Sequence, residues 1–285
     1  SCQALKLGPG KNLVTSPITF IATANCAQFV GADTHFADID SETFCISAKA
    51  LEKALMKKKI DVVVVVHMAG HPANLNEIYN LKEKYNFKII EDACHALGGS
   101  YKNTKIGSCK YSDISTFSFH PAKSITTGEG GMITTNSEEI YKKLLKLRNH
   151  GMNKDKKDFL NKDIAFDKDG KPNVWYYEIT ELGFNYRITD TQSALGESQL
   201  KKVDKFIKSR RKIAKAYNAG FSKNKLIKTP LETSDVKHAY HLYTILIDFK
   251  NLGKSRNQIM SELKKNNIGT QVLYIPIYQQ PYYSN

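Results

Sequence analysis

A lysine placed just past a β-rich run, with hydroxyls and glycines after it, is the first feature of this sequence that could do covalent chemistry. The run Ser115–Phe119 stops at His120-Pro121, Lys123 follows, and "SITTGEGG" closes the stretch. An amine held there, partly out of water, is destabilised as an ammonium and becomes a nucleophile toward carbonyls, able to form a Schiff base. The hydroxyls of Ser118, Ser124, Thr126 and Thr127, with the glycine amides, could bind a phosphate. The same spacing also fits an ordinary surface lysine. About thirty residues earlier, "IIEDACHALG" puts Asp92 at the end of an apolar run. A buried carboxylate there could keep a ring nitrogen protonated, or simply cap the next turn. A lysine, a phosphate cradle and a carboxylate together are what pyridoxal 5'-phosphate requires.

Other chemistries fit less well. "GEGG" is not GxGxxG and follows a loop rather than opening a helix, which argues against a dinucleotide site. The eight histidines contain no HExxH, and His67 and His71, four apart beside a strand end, read as loop rather than metal site. Ser118 with His120 lacks the context of a nucleophile elbow. Five scattered cysteines without a CxxC pair, and no visible signal peptide, favour a reducing cytoplasm over a disulfide framework.

The elements that must position Lys123 and Asp92 alternate between strand and helix. "KNLVTSP", "ADTHFADID", "DVVVVVHM" and "FKIIED" read as strands. Helices are expected over "ITFIATANCAQFVG", over 48–58, and over the segment with Leu75, Ile78, Leu81 and Tyr85 on one face. Consecutive βα units imply an α/β fold, a mainly parallel sheet flanked by helices, with chemistry at the carboxyl ends of the strands. Residues 153–178 are polar and aperiodic and read as a surface excursion or lid. A long helix is expected from the Thr189 cap to about Tyr217. "HLYTILIDF", "SRNQIMSELKKNN" and "GTQVLYIPI" then predict a β-α-β set. The expected division is a large domain over 1–219 and a small α+β C-terminal domain over 220–285. Both ends, "SCQALKLGPGKN" and "YIPIYQQPYYSN", read as unfinished, so a chain lacking both termini is expected.

Forty-two Lys+Arg against 28 Asp+Glu give a formal net charge of +14. The basic residues are dispersed, mostly lysine and without interleaved aromatics, which reads as solvated helix faces rather than a nucleic-acid surface. An anionic small-molecule substrate is equally compatible. No apolar run approaches the roughly 20 residues of a membrane span, so no membrane partner is expected.

Five blocks carry a closer resemblance: "PITFIATANCAQFVGADTHFADID", "IIEDACHALGGSY", "FSFHPAKSITTGEGGMITTN", "RNHGM" and "ELGFNYRITDTQSALGESQLKKVD". In this order they resemble the DegT/DnrJ/StrS family of nucleotide-sugar aminotransferases, over nearly the whole chain, and "SFHPAKSITTGEGG" is the most specific. The resemblance implies the aspartate aminotransferase-like fold type I of pyridoxal-phosphate enzymes. It makes Lys123 the Schiff-base lysine and proton shuttle, and pairs Asp92 with the pyridinium nitrogen. It puts His95 near the ring phenolate oxygen, Phe20 on the ring face and Ser118 at the cofactor phosphate. Asn185 would reach the phosphate of the neighbouring subunit's cofactor, so a homodimer is implied. "WYYEITELGFNYRITD" and "YIPIYQQPYY" look most like family members of the pseudaminic-acid pathway. That implies a UDP-linked 4-keto sugar as acceptor and L-glutamate as donor, with perosamine- or bacillosamine-type sugars and a non-catalytic binding protein as alternatives. Leu273-Tyr274 stands where many relatives have a histidine-tyrosine pair near the sugar.

Overall fold

Five consecutive valines, Val62–Val66, form the central strand, and none is more than 3% exposed. A strand buried on both faces can be an unbroken apolar run because helices cover each side of a parallel sheet. Each such side chain contributes on the order of 1.5–3 kcal/mol through burial. The computed structural model describes residues 1–284. Its main sheet has six strands: β1 Asn12–Thr15, β2 Asp33–Phe36, β3 Val62–Val66, β4 Lys88–Asp92, β5 Ile114–Ser118 and β6 Gly131–Thr134. They lie in the order β2-β1-β3-β4-β5-β6, the first five parallel and β6 antiparallel to β5.

Alternation along β3 feeds two cores. Val63 and Val65 join Leu51, Leu55, Ile78 and Ile89 on one face. Val62 and Val64 join Leu7, Leu13, Ala27 and Ala32 on the other. The crossover helices are α1 Ala22–Gln28, α2 Ala48–Lys57 and α3 Leu75–Tyr85, and α4 Glu138–Leu147 follows the last strand. Ser47, Asn74 and Ser137 start the last three, each accepting a hydrogen bond from the backbone N–H three residues on. The mainly parallel sheet with flanking helices is thus as expected.

Beyond residue 150 the structure departs from the sequence reading in three places. The long helix is two, α5 Asp190–Leu200 and α6 Val203–Phe221, the first opening on a Thr189–Gln192 capping box. The break at Lys201-Lys202 lets Ile207 pack over Gly98, where even a Cβ would come within 2.7 Å of it. Residues 153–178, read as a surface excursion or lid, carry local order of their own. They fold around Phe159, Phe166 and Tyr176, with Phe159 ring centroids 6.2 and 4.8 Å from the other two. Finally, "GTQVLYIPI" is no strand. After α7, Arg256–Lys265, the chain returns to the large sheet as an irregular segment. There the Ile277 N–H donates to the Pro17 carbonyl at 3.0 Å, and the Tyr283 hydroxyl to Asn25 Oδ1 at 2.7 Å. Pro276 has no N–H to give a ladder. Of "HLYTILIDF" only Leu246–Ile247 is extended and paired, with Ile227–Lys228. Among the described residues no helix is long and apolar enough to cross a membrane.

Candidate active site

The carboxyl ends of β4 and β5 are neighbours in the sheet, and Asp92 and the Lys123 loop leave from them. Asp92 is half-buried. Its carboxylate accepts from the Thr23 hydroxyl at 2.7 Å and from the Cys94 N–H at 3.2 Å, and it has no cationic partner among the described residues. One oxygen is therefore steadied from α1 and the other from the turn after β4, and the negative charge is left for a ligand.

The loop after β5 fixes the backbone of Lys123 and leaves its amine free. Phe119 N–H donates to the Gly130 carbonyl, Thr127 N–H to the Phe119 carbonyl and Lys123 N–H to the His120 carbonyl, at 2.9, 3.0 and 2.9 Å. The Thr126 hydroxyl donates to the Phe119 carbonyl and that of Thr127 to the Glu129 carbonyl. These two hydroxyls are spent inside the loop, so the expectation that they bind phosphate is corrected. Among the described residues Ser118 only accepts, from the His120 N–H at 3.3 Å, and its own hydrogen is uncommitted. Gly130 has φ +156°, and a Cβ there would strike the Thr127 hydroxyl, so "GEGG" is needed for the loop's own closure. Lys123 itself is half-buried, and its Nζ makes no hydrogen bond or ion pair among the described residues.

Two imidazoles complete this end of the sheet. His95, in the turn after β4, and His241 are 6% and 8% exposed, with ring centroids 4.5 Å apart and planes tilted by 38°. Burial, then the charge of Lys123, then the other imidazole push His95 down to about 2. Burial, Lys123 and Arg210 push His241 down to about 3. Both rings are therefore neutral at neutral pH. Phe20 is half-exposed at the mouth, its ring 6.4 Å from that of Tyr274. Burial and the Asp92 charge raise the Tyr274 phenol. Sequence reasoning did not single out His241, and it noted Tyr274 only as half of the Leu273-Tyr274 pair near the sugar; neither stands in a motif with Lys123 or Asp92.

Asn185 lies elsewhere. It is exposed, in the segment before α5, and bridges to Asn149. The structure thus brings Lys123, Asp92, His95, Ser118 and Phe20 to one end of the sheet and leaves Asn185 facing outward. Behind β4 the buried Glu91 points the other way, accepting from His67 Nε2 at 2.8 Å, Ser115 at 3.0 Å and Ser112. Burial alone would raise its carboxyl, but these bonds outweigh it and hold it below the usual range. His67 Nδ1 accepts from the Ala73 N–H at 3.0 Å, so this ring is a structural group and no metal ligand.

A mainly parallel sheet with a free lysine and a carboxylate at adjacent strand ends defines a pyridoxal-phosphate enzyme of fold type I. The donor set fits that cofactor: an amine without a partner, a carboxylate without a cation, an uncommitted hydroxyl and two neutral imidazoles. The chain belongs to the DegT/DnrJ/EryC1/StrS aminotransferase family, whose model matches residues 1–285. An uncharacterised protein of Methanocaldococcus jannaschii is 41% identical over 283 residues, which are 99% of this chain and 70% of that one. A UDP-4-amino-4,6-dideoxy-N-acetyl-beta-L-altrosamine transaminase of Campylobacter jejuni is 39% identical over 275 residues, 96% of this chain and 68% of that one. Among solved structures, Helicobacter pylori PseC, an aminotransferase in the biosynthesis of pseudoaminic acid, superposes with a TM-score of 0.85 at 32% identity. The match covers 99% of this chain and 72% of PseC. The protein is a pyridoxal-phosphate-dependent sugar aminotransferase.

Proposed function

We propose that the protein transfers the amino group of L-glutamate to C4 of a UDP-linked 4-keto-6-deoxy-N-acetylhexosamine, giving a UDP-4-amino sugar for a pseudaminic-acid-type surface glycan. The observation that carries the chemistry is the unpaired Lys123 amine beside the unpaired Asp92 carboxylate, on a backbone that the loop bonds hold still. The sugar assignment is supported by the likeness to the Campylobacter jejuni transaminase and to PseC. When bound, pyridoxal phosphate supplies the electron sink that carries nitrogen from donor to acceptor.

This chain's residues do the rest. Asp92 keeps a proton on the ring nitrogen, its carboxylate aimed by Thr23 and the Cys94 N–H. Phe20 covers a ring face, His95 donates to the ring oxygen and the free hydrogen of Ser118 goes to the phosphate. Lys123 Nζ takes the proton from Cα of the donor and, in the second half-reaction, gives one to C4 of the sugar.

Asn185 serves the partner's site in a homodimer. Support for that assembly comes from α5, which buries no residue and exposes Leu195 and Leu200, and from Met132 of β6, 52% exposed. Lone apolar residues on a surface need no explanation, but a helix with no buried face needs a partner. Free cysteines support a reducing, cytoplasmic setting.

The test is a visible absorption spectrum with pyridoxal phosphate, native against Lys123→Ala. A yellow band that requires Lys123 and is bleached by L-glutamate is expected, with turnover in Lys123→Ala down by ~10⁴-fold and folding unchanged. Lys123→Ala turning over at the native rate would remove the assignment. Supplying different UDP-4-keto sugars to the native enzyme then decides the acceptor.

A further inference from the structure

His67 and His95 leave consecutive strand ends, yet they are oriented in different ways. His67 is pinned at both nitrogens, by Glu91 and by the Ala73 N–H. His95 makes no side-chain hydrogen bond among the described residues, and its Nδ1 is buried without a partner. The χ2 torsion of a histidine is broad, so such a ring is held only by what packs on its face. That packing is the ring of His241, whose Nδ1 is likewise buried and unpartnered, leaving Nε2 as the open nitrogen of each.

The backbone that carries His241 is clamped from three sides. Ala239 N–H donates to the Gly70 carbonyl at 2.9 Å and Leu242 N–H to the Ala69 carbonyl at 3.1 Å. Arg210, on α6, donates to the carbonyls of Tyr240 and His241 at 3.3 and 2.9 Å. Gly70, at φ +102°, is the point of closest approach. A Cβ there would lie 2.7 Å from the His95 carbonyl oxygen and 3.0 and 3.1 Å from the amide nitrogens of Tyr240 and His241. So much backbone convergence around one ring pair fixes the plane of His241, and through it that of His95.

We propose that His241 is a positioning residue for the amino-transfer site: its clamped ring holds the imidazole of His95 so that the open nitrogen of His95 faces the Lys123 side. The charged groups that bear on the pair are Lys123, from the loop after β5, and Arg210, from α6. For its effect on turnover the proposal rests on the reading of His95 as a cofactor contact; the ring geometry itself does not.

The experiment is histidine nitrogen NMR on the full chain without pyridoxal phosphate, comparing native protein, His241→Ala and His241→Phe, with His95→Gln to assign the signals. Native protein and His241→Phe, which keeps a flat ring in the same space, are expected to show His95 as one neutral tautomer. In His241→Ala the signals should average between tautomers, and the His95 titration should move up toward the ordinary range as water and freedom reach the ring. With cofactor and substrates, kcat should fall about tenfold in His241→Ala, as for a misplaced contact, and His241→Phe should recover most of the loss. His95 signals in His241→Ala that superimpose on the native ones would overturn the proposal. So would a His241→Phe as slow as His241→Ala with His95 unmoved, since the nitrogen of His241 would then be acting directly. A failure of cofactor binding in native protein would leave the NMR outcome to decide the positioning role alone.

Discussion

From Asn12 to Leu147 large apolar side chains mostly point inward, as Leu13, Leu51, Ile78, Ile89 and Ile114 do, none measurably exposed. From 150 to 200 they mostly point out: Val174, Leu182, Leu160, Tyr186 and Trp175 are all more than 60% exposed. The first region can hold a reactive group still because its strand ends are anchored in two cores and its loops bond to themselves. The second is built from short elements, caps and one aromatic cluster, and leaves large apolar side chains exposed. Rigid scaffold carries the proposed chemistry; the exposed region, with Met132 on the scaffold's edge strand, carries the proposed dimer contacts. The return segment 238–242 belongs to neither, being late in the chain yet buried against Gly70 and His95.

The sharpest way to break that division is Asp92→Asn. Asparagine can still accept from the Cys94 N–H on its one oxygen, while its NH2 donates to a Thr23 hydroxyl turned to accept, so stability should change little. Losing the charge opposite the ring nitrogen should lower kcat by about 10³-fold, read from steady-state transamination. A loss under about tenfold would mean that the first region holds the fold and some other group holds the cofactor.

Acid should reveal the same division. His95, His241 and the 1%-exposed His238 are all held well below the ordinary histidine range, chiefly by burial. Each is neutral when folded and takes up a proton only when the chain unfolds. The unfolded state therefore binds more protons as pH drops below ~6.5, and stability is complete above that and lost as pH falls toward the folded values. Between pH ~6.5 and ~5 each histidine costs at most about 2 kcal/mol. Denaturant midpoints against pH should show this fall, and His95→Gln with His241→Phe should flatten it. An unchanged slope in the double variant would place the acid sensitivity outside the site.

Next in size is Glu91→Gln, behind the same strand. It removes the charge that three hydrogen-bonded groups are arranged around, at a cost of about 2 kcal/mol, measured by chemical denaturation. If kcat per folded molecule falls as well, the buried network also sets the position of Asp92.

How far the sequence could show all this follows the same boundary. Val62–Val66 and the helix containing Leu75, Ile78 and Leu81 were readable because periodicity and burial agree there. Lys123 and Asp92 were readable because Asp92 ends its strand and Lys123 stands in the loop just past the next one. Their free charges were not, since that depends on what fails to approach them. "GTQVLYIPI" alternates like a strand but finds no neighbour to pair with among the described residues, and Lys201-Lys202 has nothing against helix in its side chains; the break goes with the close seat of Ile207 on Gly98, a contact between distant segments. His241 was invisible because its meeting with His95 is made by backbone contacts between distant segments, which leave no spacing to read.

The smallest expected effect tests whether the two regions are joined at all. Gln192, third residue of α5, accepts from the Thr189 N–H and hydroxyl while its Nε2 donates to the Glu129 carbonyl at 2.9 Å. Glu129 is also where the Thr127 hydroxyl ends, in the loop that carries Lys123. Gln192→Ala removes half of the capping box and the side-chain hydrogen bond from α5 to that loop, and should cost about 1 kcal/mol. If α5 is energetically separate, only the unfolding midpoint shifts, and the affinity for pyridoxal phosphate, titrated by absorbance, stays native. If the loop depends on α5 for its closure, the affinity falls with the midpoint, and Thr189→Ala, which loses the cap but keeps the tie to Glu129, shifts the midpoint alone. We expect the second pattern, because Gly130 closes against Thr127 and Ile188 together, putting the start of α5 within contact of the loop that holds Lys123.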